Sequence, residues 1–97
     1  MTVTQILSAL SDPTRLGAMQ ILQDGGEHCV CELMKRLDAT QSRMSRHMGV
    51  LKAAGLVVDR RDAQWVRYRR NPALPQSRAR IIDAVMAATE LEGKAAA

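Results

Sequence analysis

Two cysteines separated by one residue, Cys29 and Cys31, are the side chains of this sequence best suited to soft-metal or redox chemistry. Thiolates are soft donors that select thiophilic metals and metalloids. The first residues carry no basic segment, and no run of 18 apolar residues occurs, so we expect a cytoplasmic protein without a membrane span. Thiols stay reduced there, so the pair is expected to bind a ligand or do redox work rather than form a structural disulfide.

The segment that begins at Thr40 has the side chains of a helix that reads DNA. Met44, Met48 and Leu51 fall at positions i, i+4 and i+7 and form one apolar stripe. The polar side chains lie off that stripe, where Gln can pair with adenine, Arg with guanine, and Ser with a base or a phosphate. The DNA-contacting residues predicted here are Thr40, Gln41, Ser42, Arg43, Ser45, Arg46, His47 and Lys52.

Positive charge is concentrated in the second half of the chain. Residues 43–70 contain eight basic and two acidic residues, a local net charge of +6, although the whole chain carries only +4. Such a concentration is the electrostatic footprint of nucleic-acid binding. Arg60, Arg61 and Arg67 are therefore predicted to contact DNA phosphates.

Hydrophobic periodicity predicts how these residues are positioned. The 97 residues make a single domain over residues 1–92, followed by a flexible tail at 93–97. Predicted helices cover 3–10, from the Ser11-Asp12-Pro13-Thr14 restart to Gly25-Gly26, 30–37, Thr40 to Ala54, and 75–92; predicted strands cover 56–58 and 65–69, around a turn at 61–64. The order α-α-α-α-β-β-α predicts a mainly α winged helix-turn-helix protein with a β-hairpin.

Five segments, in the same order and spacing, resemble the arsenical-resistance repressor (ArsR/SmtB) family. The resemblance covers about residues 5–72 and implies a homodimeric winged-helix repressor that leaves an inverted-repeat DNA operator when a metal, metalloid or other inducer binds. The segments that carry it are Leu10-Ser11-Asp12-Pro13-Thr14-Arg15-Leu16, Cys29-Val30-Cys31-Glu32-Leu33, Thr40 to His47, Leu51-Lys52-Ala53-Ala54-Gly55-Leu56-Val57, and Trp65 to Pro72.

The resemblance also implies a dimer interface built from the first and last helices. A chain of this size buries only a modest core alone, so its terminal apolar faces also need a partner on physical grounds. The predicted interface residues are Ile6, Leu7, Leu10, Ile81, Ile82, Val85 and Met86.

Two positions depart from the family pattern. Met34 stands where the arsenite-sensing branch often has a third cysteine, and a thioether is a weaker ligand for a thiophilic metalloid. Asp62-Ala63 replaces the usual acidic-Gly pair at the hairpin tip, so a turn that needs a positive φ would be strained there.

Helix geometry limits how the two thiols can act together. Residues i and i+2 of a regular helix lie about 200° apart, so Cys29 and Cys31 cannot chelate one atom from an intact helix. Either the motif lies at a frayed N-terminus, or binding unwinds the first turn and moves helix 30–37 against helix 40–54. His28 is a candidate third ligand. The segment 75–92 has no histidine, so we expect no zinc site on the last helix.

These observations predict a DNA-binding repressor that is released by trivalent arsenic or antimony bound at Cys29 and Cys31. One alternative keeps the fold but makes the thiols a redox or persulfide sensor. Another is a DNA-binding or interaction module whose cysteines bind no inducer. Catalytic triads, glycine-rich phosphate loops and paired buried carboxylates have no counterpart in the sequence, so we do not expect an enzyme.

Overall fold

Helices form most of the chain in the computed structural model, which describes the backbone of residues 1–96 and the side chains of residues 1–92. A short 3₁₀ turn at Leu22–Asp24 follows the second helix. The elements are α1 (Val3–Leu10), α2 (Pro13–Ile21), β1 (His28–Cys29), α3 (Val30–Leu37), α4 (Gln41–Ala53), β2 (Val57–Asp62), β3 (Trp65–Arg70) and α5 (Gln76–Ala96).

The helix starts follow from the side chains that precede them. Asp12 caps α2 by accepting a hydrogen bond from the backbone N–H of Arg15, and Pro13 occupies the first helical position. Thr40 caps α4 in the same way, through the backbone N–H of Arg43. The restart predicted at residues 11–14 and the cap predicted at Thr40 are therefore confirmed.

Helices α3 and α4 share one apolar core, which fixes their relative position. Leu33 of α3 and the predicted stripe of α4 are fully buried. Asp38, at the C-terminus of α3, adopts a left-handed conformation with φ of 51°, which turns the chain towards Thr40. The other fully buried large side chains of the core are Ile6, Met19, Leu22, Leu56, Val57 and Ile82.

A third strand joins the predicted hairpin. The antiparallel sheet has the order β1-β3-β2, with Cys29 opposite Arg67 and Arg67 opposite Arg60. Strand β1 was not predicted, because two residues are too few for a periodic pattern and their pairing depends on a segment far away in the sequence. The sheet therefore connects the cysteine motif directly to the wing, which is the β2–β3 hairpin.

Two predicted boundaries were wrong. The strands extend to Asp62 and from Trp65, so the predicted turn at 61–64 shortens to two residues. Ala63 has a φ of 55°, the conformation expected to strain this position. Helix α5 continues to Ala96, past the predicted end at residue 92; the side chains of 93–97 lie outside the described residues, so the flexible tail stays a prediction.

Along the part of the chain that the structure describes, no helix is both long enough and apolar enough to cross a membrane.

Candidate functional site

The two cysteines lie at the junction of β1 and α3. Cys29 is the N-cap of α3 and is extended, with φ of −66° and ψ of 143°, whereas Cys31 is inside the helix. The extended cap turns the Cys29 sulfur back over the first turn, where it accepts a hydrogen bond from the backbone N–H of Cys31 at 3.3 Å. Of the two arrangements predicted, the motif at the helix N-terminus is the one observed. The sulfurs therefore converge without any unwinding of α3.

The structure joins the two sulfurs in a disulfide, with the Cα atoms 5.1 Å apart. The disulfide differs from the free thiols predicted from the sequence, and that prediction is therefore wrong for this structure. The physical reason is the extended cap, which removes the angular separation that a helix would impose on positions i and i+2. A dithiol in this backbone geometry is preorganised to hold one atom between its sulfurs.

His28 does not complete a site with the cysteines. Its Nε2 lies 2.8 Å from Asp24 and its Nδ1 lies 3.0 Å from Glu32, so both ring nitrogens are engaged by carboxylates. Desolvation, the largest single contribution, would lower the pKa of His28, but the hydrogen bonds to Glu32 and Asp24 outweigh it and raise that pKa above its ordinary value. The ring therefore ties the 3₁₀ turn to α3.

A third protein ligand is not apparent in the described part of the chain. No group of three His, Cys, Asp or Glu side chains there is arranged to hold a metal ion. Met34 is partly buried against the core. Among the described residues, the sulfur pair is therefore the candidate site for a thiophilic ligand.

Helix α4 presents its polar side chains to solvent, as predicted. The apolar stripe faces inward, and the opposite face is exposed along its whole length. Arg43 and Arg46 form no ion pair with any described residue. The exposed members of the predicted set are Thr40, Gln41, Ser42, Arg43, Ser45, Arg46 and Lys52.

His47 differs from the rest of the predicted set because it is mostly buried, with 18% of its side chain exposed. Its Nδ1 lies 3.1 Å from Nη1 of Arg15, which donates, so Nδ1 accepts and the proton of a neutral ring is on Nε2. The same guanidinium donates to the carbonyl of Ala9 at 2.6 Å. Arg15 therefore connects the end of α1 to the middle of α4, a link that residues 32 positions apart do not reveal in the sequence.

The basic residues of the wing are mostly paired. Two hydrogen bonds of 2.9 and 2.7 Å join Arg60 to the carboxylate of Glu27, and Arg67 donates to Asp62 at 2.7 Å. Lys52, at the end of α4, donates to Asp59 at 3.0 Å. The Arg67 hydrogen bond lowers the pKa of Asp62, so this carboxylate is ionised at neutral pH.

Arg61 is the one predicted wing cation that has no ion pair among the described residues. Trp65, at the start of β3, is 38% exposed, whereas Tyr68 is packed into the core. Among the residues predicted to contact DNA, the arginines of α4 are thus unpaired within the described chain, whereas two of the three wing arginines are paired with carboxylates.

The residues predicted for the dimer interface also divide into two groups. Ile6, Leu10, Ile82 and Met86 are buried within the single chain. Leu7 is 51% exposed, and Ile81 and Val85 are partly exposed. Val3, which was not predicted, is 47% exposed on the same helix as Leu7. The apolar surface left for a partner is therefore narrower than the predicted set.

Known proteins share both the sequence and the fold. The pattern that defines "Bacterial regulatory protein, arsR family" matches residues 12–58. The arsenical resistance operon repressor of Escherichia coli is 44% identical over 79 residues, 81% of this chain and 68% of the relative. The chain belongs to the arsR family. ArsR2, an arsenic resistance transcriptional regulator of Pseudomonas putida, is 46% identical over 76% of this chain, which spans 64% of that relative's length.

Solved structures of similar regulators have the same architecture. The transcriptional repressor BigR from Xylella fastidiosa superposes with a TM-score of 0.74 at 30% identity, over 93% of this chain and 85% of that one. A homodimeric winged helix-turn-helix DNA-binding domain from Mycobacterium bovis gives a TM-score of 0.73 at 25% identity, over 91% and 78% of the two chains. This arsR-family chain is thus a winged helix-turn-helix transcription regulator. The family pattern contains both cysteines and all of α4 but ends at the start of the wing.

Proposed function

We propose that this regulator is an arsenical-responsive repressor, in which trivalent arsenic or antimony bound by Cys29 and Cys31 releases the DNA operator. The observation that carries the proposal is the convergence of two sulfurs on the first turn of the helix that precedes α4. It is supported by relatives that are named arsenical resistance repressors. A two-sulfur chelate at this point acts on the N-terminus of α3, whose Leu33 is packed in the core that also holds α4.

The same proposal assigns DNA binding to α4 and the wing of a homodimer. The exposed polar face of α4 has the donors that read base edges and phosphates. Leu7, Val3, Ile81 and Val85 supply the apolar surface that pairs two copies, and a two-fold dimer places its half-sites about one helical turn of DNA apart. The related domain from Mycobacterium bovis is homodimeric, which supports this assembly.

The lack of a third thiol limits which inducers the site should prefer. Inorganic arsenite can bind three sulfurs, but this chain offers a pair, so its third position is filled by oxygen or by an exogenous thiol. Methylarsenite already carries one carbon bond and needs only two thiolates. We therefore expect methylarsenite to induce at least as well as arsenite at equal concentration.

A second candidate function is a thiol redox switch. The observation that favours it is the disulfide between Cys29 and Cys31, since the structure already places the sulfurs in the oxidised arrangement. In this case the inducing event is oxidation of the pair, and the arsenical has no role. The arsenical sensor and the redox switch need the same two thiols. The response to arsenicals and to oxidants therefore distinguishes them, and the geometry of the site does not.

A DNA-release assay tests the proposal. The reduced protein is bound to operator DNA and titrated with arsenite, methylarsenite, antimonite, zinc, cadmium and peroxide. We expect release by the trivalent arsenicals and antimonite, and retention with zinc and cadmium. Release by peroxide but by no arsenical would replace the proposal with the redox switch.

Cysteine variants identify the site. Cys29→Ser and Cys31→Ser should each keep DNA affinity and lose induction, because a hydroxyl is a poor ligand for a soft centre. The double variant should be no worse than either single one, because losing one thiolate already breaks the chelate. Arsenical induction of the double variant equal to that of the parent protein would refute this sensing site.

The dimer has its own test. Val85→Glu should yield monomers that bind the operator weakly, because an unpaired carboxylate buried at an interface is costly. Analytical ultracentrifugation measures the association directly. A stable monomer of the unsubstituted protein at micromolar concentration would contradict the homodimer.

A further inference from the structure

The wing is physically linked to the thiol pair by an ion pair at the edge of the sheet. Glu27 immediately precedes β1, and both of its carboxylate oxygens accept hydrogen bonds from Arg60 of β2. Strand β3 lies between β1 and β2, and neighbouring strands are about 4.8 Å apart, so this contact bridges the two outer strands over the central one. It therefore connects the segment that carries Cys29 to the part of the wing predicted to meet DNA.

The geometry of the Glu27–Arg60 pair orients the arginine side chain and contributes little to the stability of the protein. An exposed salt bridge adds little to stability, but a two-point contact fixes the plane of a guanidinium group. Glu27 engages Nε and Nη2 of Arg60, and no other hydrogen bond of Arg60 occurs within the described chain. A guanidinium has five N–H donors, so the two on Nη1 stay free for a DNA phosphate.

The position of Glu27 makes it sensitive to the thiols. It lies two residues before Cys29, and β1 is held to β3 by only two paired positions, His28 with Tyr68 and Cys29 with Arg67. An atom held between the two sulfurs separates them from the joined arrangement of this structure, and Cys29 lies on a strand too short to resist the displacement. Because Glu27 contacts the Arg60 guanidinium at two points, we expect a shift of β1 to reorient that group.

We propose that Glu27 is a positioning residue that couples the thiol pair to the wing. In the repressing state Glu27 holds Arg60 in the orientation that binds a phosphate, and an inducer at Cys29 and Cys31 shifts β1 and removes that support. The inference rests on the proposed arsenical response, and it adds a route through the sheet to the route from α3 to α4. Coupling between two sites is measured as the ratio of DNA affinities with and without the inducer.

Glu27→Gln tests this role, with Asp62→Asn as its matched control. Both substitutions remove one negative charge from an arginine partner in the sheet, so their general effect on DNA affinity is the same in sign. Operator Kd is measured for each reduced protein with and without saturating methylarsenite. We expect the parent ratio to lie in the range of about 5–150-fold that is typical of coupled sites, and Glu27→Gln to lower it about threefold or more. Asp62→Asn should leave the ratio at the parent value.

Two further measurements separate positioning from a structural defect. Glu27→Gln should bind methylarsenite as the parent does when DNA is absent, whereas operator DNA should weaken that binding less than it does in the parent, because coupling is reciprocal. In an Arg60→Ala background, Glu27→Gln should change the ratio no further, since the two residues act as one unit.

The outcomes are distinct. A parent protein that no arsenical releases removes the proposed function and this inference with it. If methylarsenite releases the parent protein from DNA and Glu27→Gln has the same affinity ratio as the parent, the coupling role of Glu27 is overturned and the proposed function is kept. Equal loss of ratio in Glu27→Gln and Asp62→Asn also overturns it, because charge would then explain the effect.

Discussion

Helix α4 and the wing both carry arginines predicted to contact DNA, but most of those in the wing are already paired with carboxylates. Arg43 and Arg46 of α4 have no acidic partner among the described residues, whereas Arg60 and Arg67 of the sheet are each held by a carboxylate. A free cation gains its full interaction with a phosphate or base, but a paired one must share or lose its carboxylate first. A basic sequence segment therefore indicates which residues can contact DNA. How strongly each one binds depends on whether the fold pairs it with a carboxylate.

The largest expected effect is on the helix. Arg43→Ala or Arg46→Ala should weaken operator binding by about 1–3 kcal/mol if the side chain reads a base. Arg67→Ala should cost less, because Asp62 already neutralises its charge. Fluorescence anisotropy with operator and unrelated DNA measures both effects. Equal losses from the helix and wing variants would break the comparison.

A smaller effect is expected when Lys52, the paired cation of α4, is released from its carboxylate partner. Asp59→Asn frees Lys52, so the affinity for any DNA should rise severalfold, and the slope of log Kd against log salt should steepen by about one, as for one added phosphate contact. Asp83→Asn is a useful control, since its partner Arg70 also binds Gln23 and is not a predicted DNA contact. An unchanged salt slope for Asp59→Asn would mean that Lys52 does not reach DNA.

The secondary structure was predicted well because it depends on local signals. Asp12, Pro13, Thr40 and the apolar stripe of α4 determine helix starts and faces through residues a few positions away. The Arg15–His47 contact and the Glu27–Arg60 pair join residues more than 30 positions apart. Strand β1 is only two residues long. Neither periodicity nor spacing specifies such contacts.

The residues of the site were predicted from the sequence, but their contacts with one another were not. The cysteines were identified from their type and spacing, yet their approach depends on the extended backbone at Cys29. His28 was a reasonable third ligand from its adjacency, but Asp24 and Glu32 engage its ring. Charge counting found Arg60, Arg61 and Arg67 without revealing which of them the fold neutralises.

The wing pairs should persist across the pH range of DNA-binding assays. Hydrogen bonds from Arg60 and Arg67 lower the pKa values of Glu27 and Asp62 below their ordinary 4.5 and 3.8. A lowered carboxyl pKa means that the ionised, paired form is retained until the pH falls below those values. The effect of Arg60→Ala on Kd should therefore be constant between about pH 5 and 8. A loss of this effect at pH 5 would show that Glu27 is protonated there.

The smallest expected effects concern stability. Asp12 has a lowered pKa, chiefly because it accepts the Arg15 backbone hydrogen bond, so its contribution is present above the ordinary 3.8 and is lost as the pH falls through the folded value. Asp12→Asn keeps a capping side chain but should flatten the acid side of the stability curve. Urea unfolding between pH 3 and 6 measures this, and identical slopes in both proteins would contradict it.

At the wing tip, Ala63→Gly should stabilise the protein by about 0.5–1 kcal/mol, since glycine adopts a positive φ without the penalty of a Cβ. Thermal unfolding monitored by circular dichroism measures the change. A lower melting temperature for Ala63→Gly would mean that the entropy of the unfolded glycine chain outweighs the relieved strain.

The sulfur pair occupies a position that recurs within the same chain. Cys29 is an N-cap with ψ of 143° and Cys31 is the second residue of its helix; Thr40, with φ of −67° and ψ of 161°, and Ser42 occupy the equivalent positions of α4. In a helix with an extended cap, cysteines at the N-cap and at the second helical residue would therefore form an equivalent sulfur pair. Thr40→Cys with Ser42→Cys would transplant the sensor onto the reading helix itself, where an arsenical would block DNA by occupancy instead of by transmitted motion.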